Sequence, residues 1–379
     1  MKILVAPQEF KGSISALSAA EAAKTGILRV FPQAEVVLCP VADGGDGTLE
    51  TLVEVSGGEV RVCSVQNPIG ETIQAQWGAM GDGVTAVIEM ARTSGLALLS
   101  LAERDPLNAS TYGLGQAISE ALDEGFRKFI VGIGGSATND AGAGMAQALG
   151  ANLLDGHGNT IKFGGAALAN LQKVDISNMD SRIKDSKFLV ACDVSNPLTG
   201  AEGASAVYGP QKGATPEVVR KLDEALTHYA KIVETNLGVD IKSYPGAGAA
   251  GGLGAGLIIF ANAQILSGID LICDTLDFNS QLEDVDLIIT GEGAVDSSTA
   301  YNKAPVGIAR RAKARGIPVL LLAGSLGEGY EAVYDHGINA VVCIADRPMS
   351  MRDSLIRSHE LLANAVNRSL RLLGLTATQ

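Results

Sequence analysis

The chain has 379 residues, of which 46% are hydrophobic and 19% charged, and a formal net charge of −13. That length exceeds what one core usually serves, so two domains are expected. The acidic balance argues against nucleic acid or an anionic membrane as partner, although a local group of lysines still suffices to bind an anionic small molecule.

Glycine supplies 46 residues, many of them clustered after apolar runs, which points to loops that approach ligands closely. The five cysteines, at 39, 63, 192, 273 and 343, are odd in number and lack CxxC spacing, as expected for buried thiols in a reducing, cytoplasmic setting. Met1-Lys-Ile-Leu-Val-Ala-Pro7 is too short an apolar run for a signal peptide and reads as the first strand.

Ser13 or Ser15 caps a helix that runs to about Val30. Val36-Val-Leu-Cys is a second strand and enters Pro40-Val-Ala-Asp-Gly-Gly-Asp-Gly-Thr48, a glycine and aspartate loop ahead of a helix. From 57 to 100 the texture changes: Glu59-Val-Arg-Val-Cys, Thr72-Ile-Gln-Ala-Gln-Trp and Thr85-Ala-Val-Ile-Glu alternate, with Gly81-Asp-Gly as a hairpin turn. A helix to about Glu124 follows. Phe129-Ile-Val-Gly-Ile is then a buried strand, Gly134-Gly135 a turn, and Ser136, Thr138, Asn139 and Asp140 are N-cap candidates for a helix ending at Gly150. Strand, glycine turn and helix start together make an anion site, with phosphate the natural anion.

Ala151-Asn-Leu-Leu-Asp and Phe188-Leu-Val-Ala-Cys are further strands, separated by a loop-rich stretch, and a helix spans 216–236. Residues 246–269 are uncharged over membrane length, but their glycines, Asn262 and Gln264 favour a loop entering a core helix. Val285-Asp-Leu-Ile-Ile is a strand that ends in the loop Thr290-Gly-Glu-Gly-Ala-Val-Asp296. A helix from about Pro305, strands at 317–322 and 340–344, and a C-terminal helix at about 350–373 complete the chain. The α/β rhythm at both ends predicts one discontinuous domain, residues 1–65 with 285–379, carrying an insert at 66–284.

The residues at strand ends are Lys11, Asp43, Asp46, the 134–140 loop, Asp193, Glu292, Asp296 and Ser325. In open α/β sheets that edge holds the ligand. The four histidines are isolated, so no zinc spacing exists; carboxylates beside a phosphate loop suit Mg²⁺, and a carboxylate also serves as base in phosphoryl transfer. No Gly-Lys dipeptide, and hence no Walker A motif, occurs. The rival pattern is dinucleotide binding by Gly132-x-Gly134-x-x-Ala137, with Asp155 as the ribose acid, as in an NAD-dependent dehydrogenase.

Taken together, Ala6-Pro7 with Phe10-Lys11 and Ser13, Val41-Ala-Asp-Gly-Gly-Asp-Gly-Thr48, Ile88-Glu-Met-Ala91 and Gly132-Ile-Gly-Gly-Ser-Ala-Thr-Asn-Asp140 form an ordered series of motifs. It continues through Ala191-Cys-Asp-Val-Ser-Asn-Pro-Leu198, Tyr208-Gly-Pro-Gln-Lys-Gly213, Gly246-Ala-Gly-Ala-Ala-Gly-Gly252, Ile289-Thr-Gly-Glu-Gly293 and Asp296. In these the chain resembles the bacterial type I glycerate kinases over essentially its whole length. The resemblance implies ATP-dependent phosphorylation of D-glycerate with Mg²⁺, generally at the 2-hydroxyl. It also implies a flavodoxin-like α/β domain interrupted by an inserted mixed α/β domain, with the active site in the cleft. The chain departs from the family pattern at Gln8 and Glu9, in place of Asp-Ser, at Gly113-Leu-Gly-Gln116, and at Ala294, Ser298 and Asn302. A non-catalytic binder of hydroxy acid or nucleotide is therefore the second alternative.

The resulting assignment makes Asp193 the general base, with Asp296 next, and Lys11 and Lys303 the charges that neutralise phosphate or substrate carboxylate. Gly134, Gly135, Ser136, Thr138 and Asn139 cradle phosphates. Asp43, Gly44, Gly45, Arg104 and Lys212 bind substrate, and Asp43 with Glu292 holds Mg²⁺. The expected partners are small molecules, with a homodimer left open.

Overall fold

The structure is a computed structural model that describes residues 1–301 and 303–376. Asn302, one of the departures above, lies outside the described residues. The fold is mixed α/β, and the chain divides into two compact units: Met1–Asp43, Glu50–Ser56 and Ile269–Gln379 form one, Gly44–Leu49 and Gly57–Gly268 the other.

The first unit is built on a five-stranded parallel sheet. Its strands lie in the order Ala340–Cys343, Val319–Leu326, Leu287–Val295, Lys2–Pro7, Glu35–Leu38. Counted along the chain within the unit, that order is 5-4-3-1-2, so the topological switch falls between Lys2–Pro7 and Leu287–Val295. The near-continuous apolar runs suit strands covered on both faces. Ile3, Val5, Leu287, Ile289, Leu320 and Leu322 share a core with the helices Ala16–Leu28 and Ser358–Thr376. Period-two alternation turns Leu4, Ile288, Val319 and Leu321 to the other face, where they are also buried. Ser15 starts the first helix by accepting the Ser18 amide at 3.2 Å.

The strand Leu287–Val295 is longer than its apolar run suggests. Thr290-Gly-Glu-Gly-Ala-Val, read above as a loop, stays paired, with Glu292 opposite Ala323 and Ala294 opposite Ser325. The neighbouring strand supplies the ladder that the glycines alone do not favour, so Glu292 sits on a rigid element.

The second unit has a six-stranded sheet in the order Gln264–Leu266, Lys187–Ala191, Lys128–Gly132, Thr85–Glu89, Thr72–Ala79, Glu59–Gln66. The first four are parallel, and the alternating pair at the other end is antiparallel. Phe129 and Phe188 stack across adjacent strands with centroids 4.5 Å apart, and Trp77 meets Phe126 edge-on at 5.3 Å. A second core gathers around Tyr229 on the helix Pro216–Leu237.

The boundaries differ from those expected at 65/66 and 284/285. Residues 59–66 pair with the Thr72–Ala79 strand along their whole length, so they belong to the second unit. Residues 269–284 belong to the first, where Ile269 packs against Gly307. Pairing and packing, rather than a change of sequence texture, set the division.

Phe129 is fully buried in the second unit's sheet core. Phe129→Ala removes one half of a stacked pair and leaves a cavity, so it should cost about 3–5 kcal/mol. Urea denaturation checks this; a midpoint equal to that of the native protein contradicts the packing described.

Candidate active site

In the first unit the sequence-predicted residues gather at the topological switch. Lys11 follows the strand Lys2–Pro7, and its backbone runs beside Gly293, where a Cβ would lie 3.2 Å from the Lys11 amide. Glu292 is 6% exposed, and its Oε1 accepts the Thr299 hydroxyl at 2.7 Å. Burial pushes its carboxyl up to about 7, opposed by the Thr299 hydrogen bond and by Lys303 and reinforced by the negative charges of Asp43 and Asp296. The sequence-predicted group Asp43, Glu292, Asp296 and Lys303 is therefore within electrostatic reach of itself.

Asp296 has a different environment. Its carboxylate accepts both the backbone amide and the hydroxyl of Ser298, and these bonds, with Lys303, hold it below the usual carboxylate range. It is the N-cap of the short turn Ser297–Ala300. Ser298 thus has a defined structural job as the residue that holds Asp296. A carboxylate so stabilised is a weak proton acceptor at neutral pH.

Among the described residues no group of three or more His, Cys, Asp and Glu side chains forms a metal cage. Asp43 and Glu292 nevertheless fit Mg²⁺ that brings its remaining ligands as phosphate and water oxygens. The observation that supports the fit is a buried carboxylate raised by burial and by two further acids, with Lys303 as the countercharge the electrostatics identify.

In the second unit the carboxyl ends of the parallel strands carry Glu89, the turn after Gly132, Asp193 and Gly268. The segment 44–49 lies across them. Gly44, at φ +88°, approaches so closely that a Cβ there would be 2.4 Å from the Ala191 side chain, so only glycine fits. Gly45 lies beside Gly134. Exposed Asp193 accepts the Gly268 amide on Oδ1 at 2.9 Å, which fixes its orientation while leaving the carboxylate accessible.

The loop after Gly132 is not the expected helix start. Gly134 and Gly135 are exposed, but Ser136, Thr138, Asn139 and Asp140 are buried, and the helix begins only at Ala143. The Asp140 carboxylate already accepts the amides of Gly142 and Gly144, and Thr111 Oγ1 accepts that of Met145. The helix amides are therefore used internally, and only the two glycines present the loop to solvent.

Thr138 and Asn139 are corrected from phosphate ligands to internal residues: both have 0% exposure, and Asn139 Nδ2 donates to Ser205 Oγ at 3.0 Å. Lys212 is corrected from a substrate contact, because it is fully buried and its Nζ donates to the Thr138 carbonyl at 2.6 Å. Arg104 is half-buried and supports the same turn, donating from Nη1 to the Gln211 carbonyl at 3.2 Å. The dinucleotide fingerprint does not form either. Its helix starts too late, and Asp155 is a half-buried residue whose carboxylate is taken up by the amides of His157 and Asn159 in its own turn.

Two residues absent from the assignment stand at this edge. Glu89 Oε1 accepts the Leu49 amide at 2.9 Å, and Oε2 pairs with Arg92 Nε at 2.6 Å. Glu89 thereby anchors the 44–49 segment. The signal was the acid ending an otherwise apolar strand in Ile88-Glu-Met-Ala91. Gln116 also has a local role, its Oε1 accepting the Gln66 amide at 2.7 Å.

Comparison with known proteins gives a family-model match to the glycerate kinase family over residues 3–374. A protein of Halalkalibacterium halodurans named glycerate kinase is 50% identical, with 96% of each chain covered. One of Escherichia coli named glycerate 2-kinase is 48% identical over 91% of this chain and 90% of its own. A crystal structure from Salmonella typhimurium, provisionally described as glycerate kinase 2, superposes with a TM-score of 0.93 at 44% identity, covering 100% of both chains.

The raised Glu292 carboxyl predicts a pH effect. Its value lies above the ordinary 4.5, so the stability linked to its proton is complete below about pH 4.5 and lost as pH rises through about 7. Glu292→Gln keeps the neutral shape and escapes that loss. In EDTA, the variant should gain on the native protein between pH 5 and 8, by on the order of 3 kcal/mol at most. Thermal melts across that range check it; a constant difference contradicts the assignment of the buried charge.

Proposed function

The chain belongs to the glycerate kinase family, and from that premise we propose that it transfers the γ-phosphoryl group of ATP to the 2-hydroxyl of D-glycerate, giving 2-phosphoglycerate and ADP. The observation that carries this reading is the buried Glu292 carboxyl with Asp43, Asp296 and Lys303 at the switch of a doubly wound sheet of flavodoxin-like order. A kinase needs that mixture: acid groups for a divalent cation and lysines for phosphoryl oxygens.

In this reading Asp43 and Glu292 hold Mg²⁺, which offsets charge on the nucleotide phosphates. Asp193, oriented by the Gly268 amide, accepts the proton of the substrate hydroxyl as its oxygen bonds to the γ-phosphorus. The bond from that phosphorus to the oxygen of the leaving ADP breaks in the same displacement. Lys11 and Lys303 neutralise the phosphoryl oxygens and the glycerate carboxylate. The exposed Gly134-Gly135 turn lets phosphate approach the backbone. The five free thiols accord with a cytoplasmic setting.

A coupled ADP-release assay with D-glycerate and ATP tests the proposal. Turnover should require Mg²⁺ and vanish in EDTA, and phosphorus NMR should identify the 2-phosphate. Asp193→Asn should lower kcat by about 10²–10⁴ with little change in either KM. Retained turnover in that variant removes Asp193 from the role of base, and a 3-phosphate product overturns the choice of hydroxyl.

A further inference from the structure

The loop 133–142 presents two glycines outward and buries the rest of its length, and the buried part is gripped from several sides. Ala137 donates its amide to the Ser94 carbonyl at 3.0 Å, and Ala141 donates to Gly251 at 3.1 Å. Lys212 Nζ donates to the Thr138 carbonyl at 2.6 Å. Gly251 packs on the same carbonyl: a Cβ there would lie 2.0 Å from the Thr138 oxygen. Ala141 and Ala250 have φ of 52° and 53°, a conformation that non-glycine residues adopt only when the surroundings impose it.

A buried ammonium is a costly way to fill space. Burial pulls Lys212 well below its ordinary value, and Asp140 opposes that shift, while burial pushes Asp140 itself upward. An aliphatic side chain would fit the volume without this cost, but it could not donate to the Thr138 carbonyl. The donor is therefore the property the position retains. Gly248 and Gly251–Gly252, in the glycine-rich stretch that the reaction itself leaves unused, supply close backbone approach: a Cβ at 248 would meet the Pro197 carbonyl at 2.0 Å.

We propose that Lys212 is a positioning residue. Its ammonium, with Gly251 packed against the same carbonyl, fixes Thr138 and so holds the exposed Gly134-Gly135 turn in the geometry that receives the terminal phosphates of the nucleotide. This rests on the kinase reading, in which that turn meets ATP. Lys212 touches no reactant; it acts through the loop, and its loss should be felt in nucleotide binding rather than in glycerate binding.

The test measures ATP affinity directly, by calorimetric titration of the full chain with ATP in Mg²⁺, alongside steady-state kinetics and melting temperature. Lys212→Met, which keeps the length but cannot donate, should weaken ATP binding about tenfold and lower kcat, with KM for D-glycerate within about twofold. Lys212→Gln, which can donate without charge, should recover most of the loss. Gly251→Ala, which displaces the same carbonyl independently, should weaken ATP binding in the same selective way. Unchanged ATP affinity in Lys212→Met overturns the proposal, and so does an equal loss for both substrates. If Lys212→Met does not fold, Lys212→Gln and Gly251→Ala decide by the same selectivity. Native protein that binds ATP but leaves D-glycerate untouched refutes the activity alone, since the titrations still judge the positioning role; native protein that binds no ATP refutes both.

Discussion

The buried carboxylate of Asp140 organises much of the second unit. It accepts the amide and hydroxyl of Thr111 at 2.8 and 2.9 Å and the amides of Gly142 and Gly144 at 3.1 and 3.2 Å. Those four bonds tie the segment leading into the Tyr112–Asp123 helix to the start of the Ala143–Ala148 helix. A charge without exposure is tolerable only when its lone pairs are satisfied in this way. Removing the carboxylate would strand four donors at once, a larger loss than any single hydrogen bond suggests.

That dependence explains which parts of the candidate site's framework were legible in the sequence. Apolar runs such as Phe129-Ile-Val and Phe188-Leu-Val-Ala announce buried strands, and the runs also place Asp193 and Asp43 just beyond strand ends. The alternation of Thr72-Ile-Gln-Ala-Gln-Trp likewise announced the antiparallel edge. What could not be read was which side of a loop faces water. Ser136, Thr138, Asn139 and Asp140 are all good N-caps, and the first three good phosphate ligands, by residue type, yet the structure turns all four inward. Lys212 misled in the same way, because lysine is almost never fully buried and the sequence does not display its acceptor.

The strand Leu287–Val295 illustrates the converse. Thr-Gly-Glu-Gly reads locally as a loop, and only a partner strand makes it a ladder. The consequence is functional, since Glu292 on a paired strand has little freedom to move toward solvent. Its high carboxyl value follows from that burial, whereas Asp296, a few residues on at the cap of a short turn, is held below the usual carboxylate range by the Ser298 hydrogen bonds and Lys303.

Three carboxylates thus occupy three environments. Glu292 is buried with its carboxyl raised chiefly by burial, Asp296 is capped by Ser298, and Asp193 is exposed with one oxygen held by the Gly268 amide. Identical chemistry in dissimilar surroundings gives groups of the same type different properties. A buried one resists carrying charge. A capped one keeps a fixed negative charge and shapes its turn. An exposed one held through one oxygen keeps a fixed orientation. The sequence supplied the acids; burial, capping and orientation by the backbone are what make them different from one another.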